Sequence, residues 1–197
     1  LPEGSDVKLA LKNERVTVQS GRSRFSLSTL PAGEFPVIDD IDASQTVALP
    51  ISVIRRLVEK TYFAMAQQDV RYYLNGMLLE TDGLAIRAVA TDGHRLALCE
   101  NELSDNPLPA QQVIVPRKGV LELHRMLGGD GTLDFAMGKN HIRIVIGDVR
   151  FTSKLIDGRF PDYQRVITVD VQNHLLVARE LLRAAFQRAA ILSNEKI

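Results

Sequence analysis

Arg24-Phe25-Ser26 … Gly33-Glu34-Phe35-Pro36 returns, 126 residues after its start, as Arg150-Phe151-Thr152 … Gly158-Arg159-Phe160-Pro161. Gly21 stands three positions ahead of the first copy and Gly147 three ahead of the second. The second copy is one residue shorter before its Phe-Pro. The repeat extends outward on both sides. Leu9-Ala10-Leu11 and Arg15–Val18 answer to Leu133-Asp134-Phe135 and His141–Ile146, and Ile51–Ala66 answers to Glu180–Leu192. A large internal repeat sets the domain size and favours a scaffold over a single catalytic pocket. One unit is complete, spanning 46–170. Residues 1–45 read as the C-terminal part of a preceding unit and 171–197 as the start of a following one. The expectation is a piece of a longer protein with at least three units.

Each unit is long enough to bury its own core. Apolar residues make up 45% of the chain and charged residues 24%, an ordinary globular balance. No run approaches the roughly 20 apolar residues that span a bilayer, so no membrane role is expected. The lone Cys99 lies in a strand-like run, which predicts a small buried residue, excludes an intrachain disulfide and fits a reducing compartment. The 24 basic residues equal the 24 acidic ones, so any nucleic-acid surface must be local.

Period-2 alternation at Val7, Leu9, Leu11, then Val16, Val18, then Phe25, Leu27 predicts strands covered on one face. Further strands are expected over Tyr72–Glu80, Leu84–Thr91, His94–Glu100 and Val113–Val115, with turns at Thr81-Asp82-Gly83 and Thr91-Asp92-Gly93. Two helices follow prolines. After Pro50, Ile54, Leu57, Val58, Thr61, Tyr62 and Met65 share a face; after Pro116, Val120, Leu121, His124 and Leu127 do so until Gly128-Gly129. Leu182, Ala185, Phe186 and Ala189 repeat the first helix. Helices packed on antiparallel strands give an α+β layer architecture. A dinucleotide fold is disfavoured, because no Gly-x-Gly-x-x-Gly follows a strand.

Asp92 and His94 in Thr91-Asp92-Gly93-His94-Arg95 allow three readings: a structural turn with a surface His, a peptide or ligand contact, or a metal or catalytic pair. The chain has four His, none in His-x-x-x-His spacing, so no metal or cofactor is expected. Gly21-Arg22-Ser23-Arg24 lacks the glycines and Lys-Ser/Thr of a phosphate loop and reads as a hairpin turn. The Phe-Pro pairs read as anchors, with Phe in a core site and Pro fixing extended backbone. An apolar groove beside Pro161 and Val166 is a further candidate. Arg55, Arg56, Lys60, Arg117, Lys118, Arg183 and Arg188 sit on or at the predicted helices. If repeated helices face one side, these charges form a track that holds phosphates without reading sequence. Tyr72-Tyr73 beside Arg71 can add stacking, although strand aromatics commonly pack inward. An enzyme, such as a metal-dependent nuclease built on the same repeat, is the alternative to a binding scaffold.

Five stretches carry a resemblance: Gly21–Pro31 (GRSRFSLSTLP), Gln68–Gly76 (QDVRYYLNG), Val89–Ala97 (VATDGHRLA), Val113–Gly119 (VIVPRKG) and Ala190–Lys196 (AILSNEK). Over essentially its whole length the chain resembles the bacterial DNA polymerase III beta subunits, the replicative sliding clamps, of Gammaproteobacteria. The resemblance implies three similar domains per subunit and a head-to-tail dimer forming a ring, with helices lining a hole for duplex DNA. It implies a cytoplasmic processivity factor without catalytic activity, loaded by an ATP-driven clamp loader. In those terms, 1–45, 46–170 and 171–197 are parts of the first, central and third clamp domains. Expected partners are duplex DNA, the polymerase III alpha subunit, the clamp loader delta subunit, and other polymerases and repair proteins bearing linear motifs. Leu74, Thr91, Gly93, His94, Arg95, Leu96, Pro161, Arg165 and Val166 match the family's peptide pocket, whose remaining residues belong near the end of the third domain. Gln68, Tyr72, Tyr73, Arg117 and Lys118 match DNA-facing positions. Arg22, Arg24, Phe25 and Leu27 match one side of the subunit joint, and Ile191 and Leu192 the other.

Overall fold

The structure, a computed structural model, describes residues 3–36, 41, 43–103, 107–167 and 172–191. The chain divides into two compact units, residues 1–158 and 159–197.

The first unit opens with β1 (Lys8–Lys12), β2 (Arg15–Ser20) and β3 (Ser23–Ser28), an antiparallel sheet in the order β1-β2-β3. Then come β4 (Ala43–Pro50), α1 (Ile51–Thr61), β5 (Gly76–Thr81), β6 (Ala85–Thr91), β7 (Leu96–Glu102), β8 (Gln111–Pro116), α2 (Arg117–Met126), β9 (Thr132–Gly138), β10 (His141–Ile146) and β11 (Val149–Lys154). Two four-stranded antiparallel sheets result, β11-β10-β9-β4 and β7-β6-β5-β8. As expected, four strands separate the helix after Pro50 from the helix after Pro116, and the class is α+β.

The sequence repeat is also a repeat of structure. Strands β1-β2-β3 and β9-β10-β11 are the same three-strand meander. Each last hairpin turns at a glycine with positive φ, +51° at Gly21 and +54° at Gly147. The copies differ in cover. Phe135, Ile142 and Ile144 of the second are fully buried, whereas Leu9, Leu11, Phe25 and Leu27 of the first are exposed. The alternation therefore marks strands correctly, but the expected covered face occurs only in the second copy, because the core is built from Val47 onward.

That core lies between the helices and the two four-stranded sheets. Helix α1 buries Ile51, Ile54, Leu57, Val58 and Thr61, and α2 buries Val120 and Leu123. Tyr62 and Met65 fall beyond α1, with Tyr62–Ala64 forming a 3-10 turn. Neither helix has a side-chain N-cap. Instead the first N–H of each is taken by a loop carbonyl: Ile51 N donates to Gly131 O (2.9 Å), and Arg117 N to Asn75 O (2.9 Å). This satisfies one of the donors a helix start leaves open and fixes where each helix begins. At the far end of α2, Arg55 of α1 donates to Leu127 O (2.7 Å) and to Gly129 O. One helix thus terminates its neighbour.

Gly76 is buried at the start of β5, where an added Cβ would lie 2.6 Å from Val115 O. A side chain is excluded there by close backbone approach. Partly buried Arg87 on β6 ties Glu80 (3.1 Å), Asp82 (2.7 Å) and Glu100 together, and Gln112 also donates to Glu80 (2.6 Å). The nearly buried Glu80 carboxylate is therefore paired and hydrogen-bonded, as burial requires. Cys99 is free and buried, as expected.

The second unit contains a 3-10 turn at Tyr163–Val166 and α3 (Arg179–Ala190). Phe160 is buried while its repeat counterpart Phe35 is 75% exposed, so the anchor reading holds at one Phe-Pro pair only. Helix α3 occupies the predicted span, and its Leu181 and Phe186 are exposed.

Candidate peptide and nucleic-acid interfaces

The strand expected from Tyr72 begins only at Gly76; Tyr72–Leu74 is a 3-10 turn. The turn ends a loop closed at its base by Ala66 N donating to Leu74 O (3.1 Å). The Asn75 side chain staples the loop from within. Its Oδ1 accepts Asp69 N–H (2.9 Å) and its Nδ2 donates to Asp69 O (2.8 Å). Gln68 just before has φ +58°, a left-handed conformation costly for a residue with a side chain. Gln68 and Val70 project into solvent. The Tyr72 and Tyr73 rings meet edge-to-face at 5.7 Å, with Tyr72 exposed and Tyr73 half-buried.

The Thr91–Arg95 turn is the tight turn anticipated. Asp92 Oδ1 accepts the N–H groups of His94 (2.9 Å) and Arg95 (3.0 Å), and Thr91 Oγ1 donates to Arg95 O (2.7 Å). Those backbone donors, with the Arg95 guanidinium at 3.0 Å, hold the Asp92 carboxyl below the usual carboxylate range. His94 and Arg95 are exposed, and the Arg95 guanidinium lies 6.0 Å above the Phe63 ring. Among the described residues no group of three or more His, Cys, Asp or Glu could hold a metal.

Arg71 joins the two turns. Its Nε and Nη2 donate to Asp69 Oδ1 (3.0 Å) and Oδ2 (2.8 Å), and Nη2 also reaches Asp92 O (3.3 Å). The forked bond from Arg71 lowers the Asp69 pKa to about 2. Gly93, at φ +89°, leaves room for the guanidinium: an added Cβ would lie 3.0 Å from two of its nitrogens. Sequence reading missed Arg71, Asp69 and Asn75 as site-building residues. Only the short-range part, Asp69 two residues from Arg71, had a sequence signal; the reach to Asp92 crosses 21 residues.

Between these turns is a cleft of about 470 Å³ with Gln68 and Asp69 on one side, Asp92, His94 and Arg95 on the other, and Phe63 and Arg117 also in its wall. It brings together residues from two predicted sets: Gln68 and Arg117 from the DNA set, His94 and Arg95 from the peptide set. Leu74 is buried at 2% exposure and Leu96, paired with Thr91, is half-buried. Pro161, Arg165 and Val166 belong to the second unit, where all three are exposed and Arg165 pairs with Asp162 (2.8 Å). Exposed Lys118 and half-buried Arg117 open α2.

Of the joint residues, Arg22, Arg24, Phe25 and Leu27 are exposed on β3 and its turn, and β3 is an edge strand. Ile191 directly follows α3 and is exposed; Leu192 lies outside the described residues. Among the helix cations, Arg56, Lys60 and Lys118 are exposed, whereas Arg55 is engaged with the end of α2. No described helix is long and apolar enough to cross a membrane.

Residues 48–162 match the family described as DNA polymerase III beta subunit, central domain, and residues 1–39 match its N-terminal domain. The whole chain aligns with the beta sliding clamp of Escherichia coli K12 at 57% identity over 197 residues, covering 54% of that protein. The beta sliding clamp of Pseudomonas putida aligns at 51%, again over all of this chain and 54% of the relative. Among solved structures, the DNA polymerase III subunit beta of Pseudomonas aeruginosa superposes with a TM-score of 0.89 at 50% identity, over 100% of this chain and 54% of that one. The Bartonella birtlesii sliding clamp bound to griselimycin gives 0.89 at 37% identity, with the same coverage. The chain thus spans about half the length of the relatives it matches.

Proposed function

The chain belongs to the DNA polymerase III beta subunit family, and from that premise we propose that it is part of a sliding clamp. In this reading the protein forms a ring around duplex DNA without sequence preference and tethers the replicative polymerase. The observation that carries the proposal is the match to beta sliding clamps along the full chain, over a fold that repeats its three-strand unit. Residues 1–45, 46–170 and 171–197 then belong to the first, central and third domains of the subunit.

The surfaces have chemistry suited to these tasks. Exposed Arg56, Lys60 and Lys118 on successive helices offer cations to phosphates. Such contacts supply affinity without base readout, which a sliding protein requires. Gln68, Tyr72, Tyr73 and Arg117 are assigned to the same DNA-facing role. Among the described residues β3 is the edge of its sheet, and with exposed Phe25 and Leu27 it offers an open edge and an apolar face for a second subunit. Arg22 and Arg24 flank this side of the joint, and Ile191 and Leu192 are assigned to the other. The peptide pocket is assigned to Leu74, Thr91, Gly93, His94, Arg95 and Leu96 with Pro161, Arg165 and Val166. It would take the Leu or Phe side chains of short motifs in the polymerase alpha subunit, the clamp loader delta subunit and other partners. The proposed setting is the cytoplasm and the proposed role is non-catalytic; the relatives named above are clamps, not nucleases.

Primer extension on a singly primed circular template tests the proposal. With the full-length protein, its clamp loader and its polymerase, products per binding event should lengthen greatly over those made without it. Unchanged product lengths would contradict the assignment.

A further inference from the structure

The proposed DNA-facing residues lie on the loop closed by Ala66 and Leu74, and much of the proposed peptide site lies on the Thr91–Arg95 turn. Arg71 touches both. Resting on the sliding-clamp reading, we infer that Arg71 is a positioning residue that couples the two sites, so that DNA contact at the loop tightens peptide binding at the turn.

Three features give this strut its stiffness. The Asp69 carboxylate holds the guanidinium by two parallel bonds, which fixes its plane as well as its distance. Asn75 holds the Asp69 backbone at both N–H and C=O, so displacement of Gln68 or Asp69 is passed on to the fork. At the other end, the guanidinium donates to Asp92 O and fills the space a Gly93 side chain would occupy. Movement of the fork must therefore alter the Asp92 carbonyl contact or the Gly93 packing. Asn75 O also accepts the first N–H of α2, at Arg117, which links a second proposed phosphate contact to the same loop.

The loop tip carries the strain of Gln68 at φ +58°, and both Gln68 and Arg71 are exposed. A phosphate held by Gln68, Tyr72 or Arg117 restricts the loop and, through Arg71, the turn. A peptide that meets an already ordered turn loses less conformational freedom on binding, and linkage requires the peptide to strengthen DNA contact by the same factor. Lysine cannot reproduce the fork: it has one nitrogen centre where the guanidinium presents a rigid planar set.

The test measures affinity for a fluorescent peptide of the polymerase alpha-subunit motif, using full-length protein free and loaded on nicked circular DNA. Wild type should bind the peptide about fivefold or more tightly when loaded, the lower end of usual coupling. Arg71→Lys and Asp69→Asn should both reduce this ratio to within about twofold of one while the protein still loads. Asp69→Asn removes the anionic end of the strut without altering a proposed contact residue of either ligand. A wild-type ratio of one, or variants that keep the wild-type ratio, would overturn the coupling. If the variants fail to fold or load, hydrogen exchange of the 93–95 amides in wild type decides: slower exchange on DNA supports the strut, and unchanged exchange refutes it. Wild type that binds neither peptide nor DNA would instead refute the sliding-clamp reading.

Discussion

Phe135→Ala is expected to lower the stability of the protein by about 3–5 kcal/mol, the range for emptying a fully buried aromatic site. Phe135 has no exposed surface and lies in β9 between Val47 of β4 and Ile144 of β10, its partners in register. Both neighbours are β-branched and held by the sheet ladder, so they cannot easily collapse into the space left. Urea unfolding should show a lower midpoint, with Phe135→Leu intermediate. A loss below about 1 kcal/mol for the alanine variant would mean that β9 is not the centre of this core. The repeat supplies an internal comparison: Leu9, opposite Val18, stands where Phe135 stands opposite Ile144, but is 67% exposed. Leu9→Ala should therefore change the stability of this chain far less.

Leu96→Asp is expected to weaken binding of the polymerase alpha-subunit peptide by about 30-fold or more, as for loss of an interface hot spot. Leu96 opens β7 opposite Thr91 and is half-buried, so its side chain lies at the surface beside the 91–95 turn. A carboxylate there would have to be desolvated by an apolar anchor of the peptide, which is costly for a charge left without a partner. Leu74 is a poorer test because it is buried at 2% exposure; a charge there would attack the fold before it reported on binding. Leu84→Asp, on the exposed turn before β6, controls for added negative charge and should leave affinity within about twofold. Peptide titration with a parallel melting curve separates lost binding from lost structure. Wild-type affinity in a folded Leu96→Asp protein would remove Leu96 from the pocket.

The helix starts were legible because Pro50 and Pro116 each precede a 3.6-period stripe, and α1 and α2 begin at the next residues. The α2 stripe was less well read: buried Leu123 belongs in it, while His124 sits at its edge, stacked on Tyr62 at 5.1 Å. Tyr72-Tyr73-Leu74 has strand-like composition, yet the Ala66–Leu74 closure and the Asn75 staple wind it into a 3-10 turn. Those are contacts that local propensity does not encode. Cover was also hidden from the pattern. Both three-strand copies alternate, and only packing shows that one is buried and the other bare. At the site, the Asx-type turn at Asp92-Gly93 could be read from two adjacent residues. Its junction with Arg71 could not, because an arginine in a polar loop gives no sign of a partner 21 positions away.

Topological enclosure is tested most directly by loading the full-length protein onto nicked circular DNA, isolating the complex, and then cutting the circle once. The sliding-clamp account predicts that the protein stays on the intact circle through salt that screens phosphate contacts, and departs once the DNA has ends. Protein that remains bound after linearisation, or leaves the intact circle as salt is raised, would contradict enclosure and leave an ordinary electrostatic binder.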